Sequence, residues 1–198
     1  MKNKILILIS LSFIICFSGC SIKTESNMEF LEGKVEKNLN KINNIEVSLS
    51  KNNSNILSKK PETIVGSVYN LETDLGEINN LVLSNYFKQY FNNVNFVENK
   101  NTKDLYIETN IENYTCTFGY AMVYVIATSN INAKVYYKNE LILNKKYNGY
   151  KKTYGLGITK VTGLDMFAEA LHESVLNVYN NEFQKDMLTA LKTKIPVK

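Results

Sequence analysis

The sequence predicts an α+β fold: a mostly antiparallel sheet with helices packed on one face, plus an N-terminal helical arm. Three observations predict it. Apolar residues recur at steps of three and four over residues 77–94 and again over 164–191. Between those stretches, over 105–145, the apolar period falls to two. The resulting order of strand, strand, helix, meander and helix sets the helices against one face of the sheet.

The first residues form a leader. Lys2 and Lys4 give a positive start, and Ile5 to Phe17 is apolar except for Ser10, Ser12 and Cys16. That run fits a signal-peptide core and is too short for a comfortable membrane-spanning helix. It ends in Phe17-Ser18-Gly19-Cys20. Small residues let the chain lie extended in a peptidase groove, and the cysteine after them offers a thiol for acylation.

Residues 21–26 read as a short polar tether. Met28, Leu31, Val35, Leu39 and Ile42 then form a helical stripe interleaved with Glu29, Glu32, Lys34, Glu36 and Lys37. Gly33 interrupts it. Two heptads are short for a free coiled coil, so this arm reads either as a partner-binding segment or as a helix lying on the domain. The expected organisation is a signal peptide over 1–19, a lipidated N-terminus with tether and amphipathic segment over 20–44, and an α+β domain over 45–198.

Within that domain, Ile45, Val47 and Leu49 alternate with polar residues and predict a strand. The Asn-, Ser- and Lys-rich stretch 51–60 reads as a loop, 61–69 as a strand, and 72–76 as a polar turn ending at Gly76. A helix follows over 77–94, with Asp74 and Glu77 near its start, where the helix dipole favours negative charge. Leu105, Ile107, Thr109 and Ile111 share one strand face, and Tyr114, Cys116 and Phe118 continue it in a second register. Residues 121–128 are apolar on both faces, which predicts a central strand covered on both sides. Ile131 to Tyr137 reads as a further strand. Lys138-Asn139-Glu140 is a tight turn, because Asn tolerates positive φ. Leu141, Leu143 and Lys145 run back, and 150–157 reads as a loop or strand end. Thr162 and Asp165 form a weak capping box for a last helix, with Leu164, Phe167, Leu171, Val175 and Val178 on one face and a break at Asn180-Asn181.

The segment Phe17-Ser18-Gly19-Cys20 resembles the lipobox of bacterial lipoproteins. Ser18, Gly19 and Cys20 match its pattern, and Phe17 stands where Leu is usual. The resemblance implies a diacylglyceryl group on Cys20, which becomes the mature N-terminus and the lipidation site. Two or three acyl chains anchor stably, since one chain alone is marginal. The competing readings are an ordinary secretory signal with an incidental cysteine, or an uncleaved anchor.

Residues 61–191 also look like the YajG-like small lipoproteins. The segments that carry this resemblance are 105–111, Val123-Tyr124-Val125-Ile126-Ala127, Ala133-Lys134-Val135, the strand ending near Tyr154, and the helix beginning Ala168-Glu169-Ala170-Leu171. The 28–42 segment is an addition to that pattern. The resemblance implies an outer-membrane lipoprotein facing the periplasm, with no catalytic residues to carry over. Ser21 after the cysteine is similar to outer-membrane sorting in enteric bacteria.

Composition narrows the function classes. The formal net charge of +4 includes Lys2 and Lys4, so the rest is closer to neutral and does not imply nucleic acid. The chain has no arginine, the preferred bidentate reader of phosphate and carboxylate. Cys16 leaves with the signal and Cys20 takes the lipid. Cys116 is then left alone, without a disulfide partner, as a small buried hydrophobe rather than a reactive thiol.

His172 is the only histidine, too few for a triad or zinc site. Gly155, Gly157 and Gly163 lack dinucleotide-binding spacing. Glu108 and Glu112 lie about 13 Å apart along a strand, which suits an exposed face better than acid–base work. No catalytic residue, metal or cofactor is expected. Thirteen tyrosines are the one unusual enrichment, and Tyr114, Tyr120, Tyr124, Tyr136, Tyr137, Tyr147, Tyr150 and Tyr154 cluster in the meander. They read either as strand and core-edge residues or as an aromatic binding face.

The leading expectation is therefore a non-enzymatic envelope lipoprotein that binds another envelope component. One alternative is an accessory lipoprotein of an envelope transport system, shielding lipid in a groove between helix 77–94 and the sheet or docking on an export complex. A remoter one is a cell-wall or glycan enzyme built on Glu108, Asp104 and His172.

Overall fold

The computed structural model describes residues 20–31, 34, 42–63, 69–98, 100, 104–119, 123–155 and 163–194. The lipobox residues Phe17, Ser18 and Gly19, most of the 28–42 segment, Tyr120, Gly157 and Thr162 lie outside them.

The fold is α+β, as the patterning predicts, and its sheets are mixed. Among the described residues nine strands appear in order: β1 (Cys20–Lys23), β2 (Ile42–Ser50), β3 (Ile56–Lys59), β4 (Glu62–Thr63), β5 (Tyr69–Asp74), β6 (Phe91–Val97), β7 (Leu105–Phe118), β8 (Tyr124–Tyr137) and β9 (Glu140–Tyr154). The helices are α1 (Leu75–Tyr90), α2 (Gly163–Val178) and α3 (Gln184–Lys192), with a π turn at Tyr179–Phe183 between the last two. The large sheet runs β6-β2-β7-β8-β9, with β4 alongside the far end of β7. The small sheet runs β1-β5-β3. β7, β8 and β9 form an antiparallel meander, while β2 is parallel to both β6 and β7.

The meander is longer than its patterning predicts. Residues 124–137 are one strand, and β9 continues through Lys151 and Lys152 to Tyr154. The phase change seen after Ile111 is a β-bulge. Glu112 is the extra residue, and it returns Tyr114, Cys116 and Phe118 to the face that Ile111 occupies. The turn at Lys138 and Asn139 has positive φ at both residues, 48° and 66°, the geometry that matches the twist of a two-residue hairpin.

Both long helices lie on that same face, α1 over β6, β2 and β7 and α2 over β8 and β9. Val82, Leu83 and Phe87 of α1 and Phe167, Leu171 and Val175 of α2 are fully buried against it. The opposite face of β8 carries Tyr124, Ile126 and Thr128, which are half-buried. β8 is therefore central, and among the described residues helices cover it on one side only. Its Ile126 sits beside Lys152 on β9 and Thr117 on β7, and that polar company is invisible in the strand's own sequence.

Several boundaries differ from the sequence reading. Residues 56–59 are a strand rather than loop, because their backbone pairs with β5. The expected turn at 72–76 is the end of β5 and the first turn of α1. Asp74 caps that helix by accepting from the Glu77 amide at 3.1 Å. α1 stops at Tyr90, short of Val94, since Phe91 is extended and pairs with Ile42 in the sheet. Ile42 belongs to that strand and not to a helix. Asn180-Asn181 do not break the final helix; one widened turn absorbs them and the apolar stripe continues through Phe183, Met187 and Leu191. Among the described residues no helix is long and apolar enough to cross a membrane.

Candidate functional site

Cys20 is the first residue of β1, and it pairs in parallel with Tyr69 of β5. Residues 21–26, expected as a free tether, are instead joined to the domain. Ser21, Ile22 and Lys23 pair with Asn70, Leu71 and Glu72, and the buried Thr24 donates its amide to Glu72 O at 2.9 Å. Thr24 Oγ1 lies 2.8 Å from Thr73 Oγ1. The Tyr114 hydroxyl donates to Leu71 O at 2.9 Å, fastening the small sheet onto the large one. Polarity alone marks 21–26 as a linker; what the sequence hides is that β5 supplies the missing partner.

The strand after Cys20 leads into a single 3-10 turn, Met28–Leu31, that lies on α2. Leu31 is fully buried, and the Phe30 ring sits 5.4 Å from the His172 ring. Lys34 follows and bridges Glu169 and Glu173 on α2, and Lys151 of β9 reaches the other oxygen of Glu173. Burial works against the Glu173 carboxylate, yet the hydrogen bonds from Lys151 and Lys34 hold its carboxyl below the ordinary range.

His172 is completely buried. Its Nδ1 lies 2.7 Å from Ala168 O and must carry the proton, so Nε2 is left as a buried acceptor without a partner among the described residues. Burial pushes its pKa down, helped by the nearby Lys34 cation. The unfolded chain therefore takes up this proton first. Stability is lost as pH falls below about 6.5, the unfolded value, until the folded pKa is reached. No other histidine titrates in that window. The urea midpoint should fall between pH 7 and pH 5.5, and the His172→Phe variant should lose that slope. An equal slope in both chains would mean another group is responsible.

The three residues that an enzyme reading needs are not brought together. Glu108 lies on the sheet face away from the helices and pairs with Lys134 at 3.0 Å. Asp104 accepts from the Glu46 amide at 3.1 Å, just before β7. His172 is inside the helical layer on the other face. Glu112 pairs with Lys146. Burial pushes the Cys116 thiol up to about 12, so it is a poor nucleophile. Among the described residues no cluster of His, Cys, Asp and Glu could hold a metal ion. The space between α1 and the sheet is filled by Val82, Leu83, Tyr86 and Phe87, so the lipid-shielding groove weighed for that position is absent among the described residues. A polar recess of about 210 Å³ lies at the outer edge of β9, lined by Asn148, Tyr150, Asn177, Asn181 and Glu182. There Asn177 Nδ2 donates to Tyr150 O and covers part of the strand's free edge.

The tyrosine cluster divides by strand parity. Tyr114 and Tyr147 face the helices and are buried, so they belong to the core. Tyr137 is partly buried against that core. Tyr106, Tyr124, Tyr136, Tyr150 and Tyr154 lie on the opposite face, which no helix covers among the described residues, and Tyr106 is itself buried there. Tyr106 and Tyr136 approach at 5.8 Å and Tyr124 and Tyr154 at 6.2 Å. The Lys152 ammonium lies 4.0 Å from the Tyr124 ring centre and 4.8 Å from that of Tyr154. Tyr150 and Tyr154 are the most exposed of the group, at 55% and 68%.

No protein-family model matches this sequence, and no curated protein matches it. Among solved structures the chain is similar to protein XCC0632 from Xanthomonas campestris, described under the family model DUF330. The TM-score is 0.53 at 10% sequence identity, over 88% of this chain and 99% of that one. The likeness is one of fold.

Proposed function

We propose that this chain is a lipid-anchored protein of the bacterial envelope, cut before Cys20 and held by lipid on that residue, on the periplasmic side of the outer membrane. It acts by binding another envelope component through the uncovered, tyrosine-bearing face of the large sheet, not by catalysis. The observation that carries the reading is that the residue closing the lipobox-like segment is itself part of the fold. The lipobox-like segment ends at Cys20, and Cys20 to Lys23 pair with β5 of the domain. Cleavage before Cys20 leaves the acylated cysteine joined to the domain through that pairing. Tyrosine suits the second role because it combines apolar area with a polar tip at low entropic cost.

Crosslinking of the full chain in intact envelopes tests the binding half. The wild-type chain should capture one defined envelope protein, and the exposed-face variant Tyr136→Ala/Tyr150→Ala should lose it. Capture of nothing by the wild type, or undiminished capture by the variant, would overturn this reading.

A further inference from the structure

We infer that one end of the large sheet rests directly on the phospholipid surface, with Val123, Tyr124, Lys152 and Tyr154 in the interfacial layer. The inference rests on the lipid-anchor reading of Cys20 and adds an orientation to it.

The register fixes which end this is. Lys59 of β3 pairs with Leu71 of β5, and three residues later Glu62 pairs with Thr117 of β7. Leu71 therefore lies level with the last residues of β7. Cys20 pairs with Tyr69, two residues further in the same direction. That places it at the end where β7 finishes at Phe118, β8 begins at Tyr124 and β9 finishes at Tyr154.

No slack separates the anchor from the fold. Cys20 through Lys23 are paired strand residues and Thr24 is buried, so a lipid on Cys20 leaves from the body of the domain. A linker of ten or more residues would let the domain turn freely, whereas an acylated strand end holds its neighbours at headgroup depth.

The side chains at that level suit the position. Tyr154 is 68% exposed and Val123 48%. Lys152 spans the Tyr124 and Tyr154 rings with no carboxylate partner among the described residues, and the exposed Lys60 lies on the same side. Aromatic rings with polar tips, a lone aliphatic residue and lysines match the boundary between acyl chains and anionic headgroups. The opposite end, at the Lys138-Asn139 turn, lies about 50 Å away along β9 at ~3.3 Å per residue.

A photoreactive phenylalanine analogue placed at residue 154 of the full-length chain, and separately at residue 141, reads the orientation in living cells. Leu141 is 47% exposed and lies at the opposite end, so both replacements are on the surface. The adducts and the mass of the Cys20 peptide are read from the same sample. The expected result is lipid on Cys20 and at least about fivefold more phospholipid adduct from 154 than from 141, as an interfacial position requires. Equal adducts from the two positions, with lipid on Cys20, would overturn the orientation alone. A protein adduct at 154 in place of phospholipid would also overturn it, by assigning that end to a partner. A Cys20 peptide without lipid would overturn the anchor reading and this inference with it. A second probe at residue 123 should repeat the result at 154.

Discussion

Phe183→Ala is expected to lower the unfolding free energy by about 3–5 kcal/mol, the range for emptying a buried aromatic site. Phe183 is fully buried at the end of the π turn. Its ring meets Tyr179 at 5.5 Å, Tyr147 at 5.9 Å and Phe87 at 6.3 Å, so one side chain joins the π turn, β9 and α1. Rigid neighbours limit collapse into the vacated space, which favours the upper part of the range. The Tyr179 hydroxyl donates to Asn79 Oδ1 at 2.6 Å, while Asn79 Nδ2 donates to Thr109 Oγ1 at 2.9 Å, so those neighbours are fixed by hydrogen bonds as well. At roughly 2–4 °C per kcal/mol the melting temperature should drop by about 10 °C. A loss under about 1 kcal/mol would mean the site refills and the packing described is wrong.

Gly149→Ala is expected to cost about 3 kcal/mol, although it adds one methyl group. A Cβ at Gly149 would stand 2.2 Å from Ser174 O and 2.4 Å from Ser129 Oγ. The first of these is helix backbone, which cannot rotate away as a side chain would. Either α2 lifts from β9 or the strand bends. Ser174 is itself tied to Ser129 by a 3.0 Å hydrogen bond, so the displacement also breaks a buried polar contact. Hydrogen exchange should show faster amides along α2 in this variant, while those of β2 and β6 stay close to wild type. A fully stable Gly149→Ala chain would contradict the contact between α2 and β9.

The phase of the apolar residues made much of the meander legible. Ile107, Thr109 and Ile111 mark the covered face, and the second register at Tyr114 and Cys116 is legible as a change of phase, while the bulge that causes it needs the pairing with β8. The last helix was legible for the same reason, since Phe167, Leu171 and Val175 form a stripe that only one packing satisfies. The small sheet was not. β1, β3 and β5 owe their form to one another, and segments such as Ser21-Ile22-Lys23 carry no period of their own. The end of α1 was missed because Val94 fits a helical stripe and a strand equally well, and the parallel pairing of β6 with β2 decides between them.

For the candidate site, Cys20 was visible in the sequence through its small-residue approach and apolar leader. The division of the tyrosines was harder. Tyr147 and Tyr150 are three residues apart in one strand, yet odd and even positions send one into the core and the other to solvent. That division needs the register, which the Lys138-Asn139 hairpin sets. Nothing in the sequence alone joins Cys20 to the Tyr124–Tyr154 end, because β5 makes the link.

The central claim is that lipid on Cys20 holds this domain to a membrane. Mass spectrometry of the N-terminal peptide, from protein extracted with detergent from the envelope of a lipoprotein-processing bacterium, tests it most directly. The expected peptide begins at Cys20 and carries a diacylglyceryl group, and the Cys20→Ala chain yields no such peptide. An unmodified N-terminus at or near residue 20, or an intact leader beginning at Met1, would contradict the account.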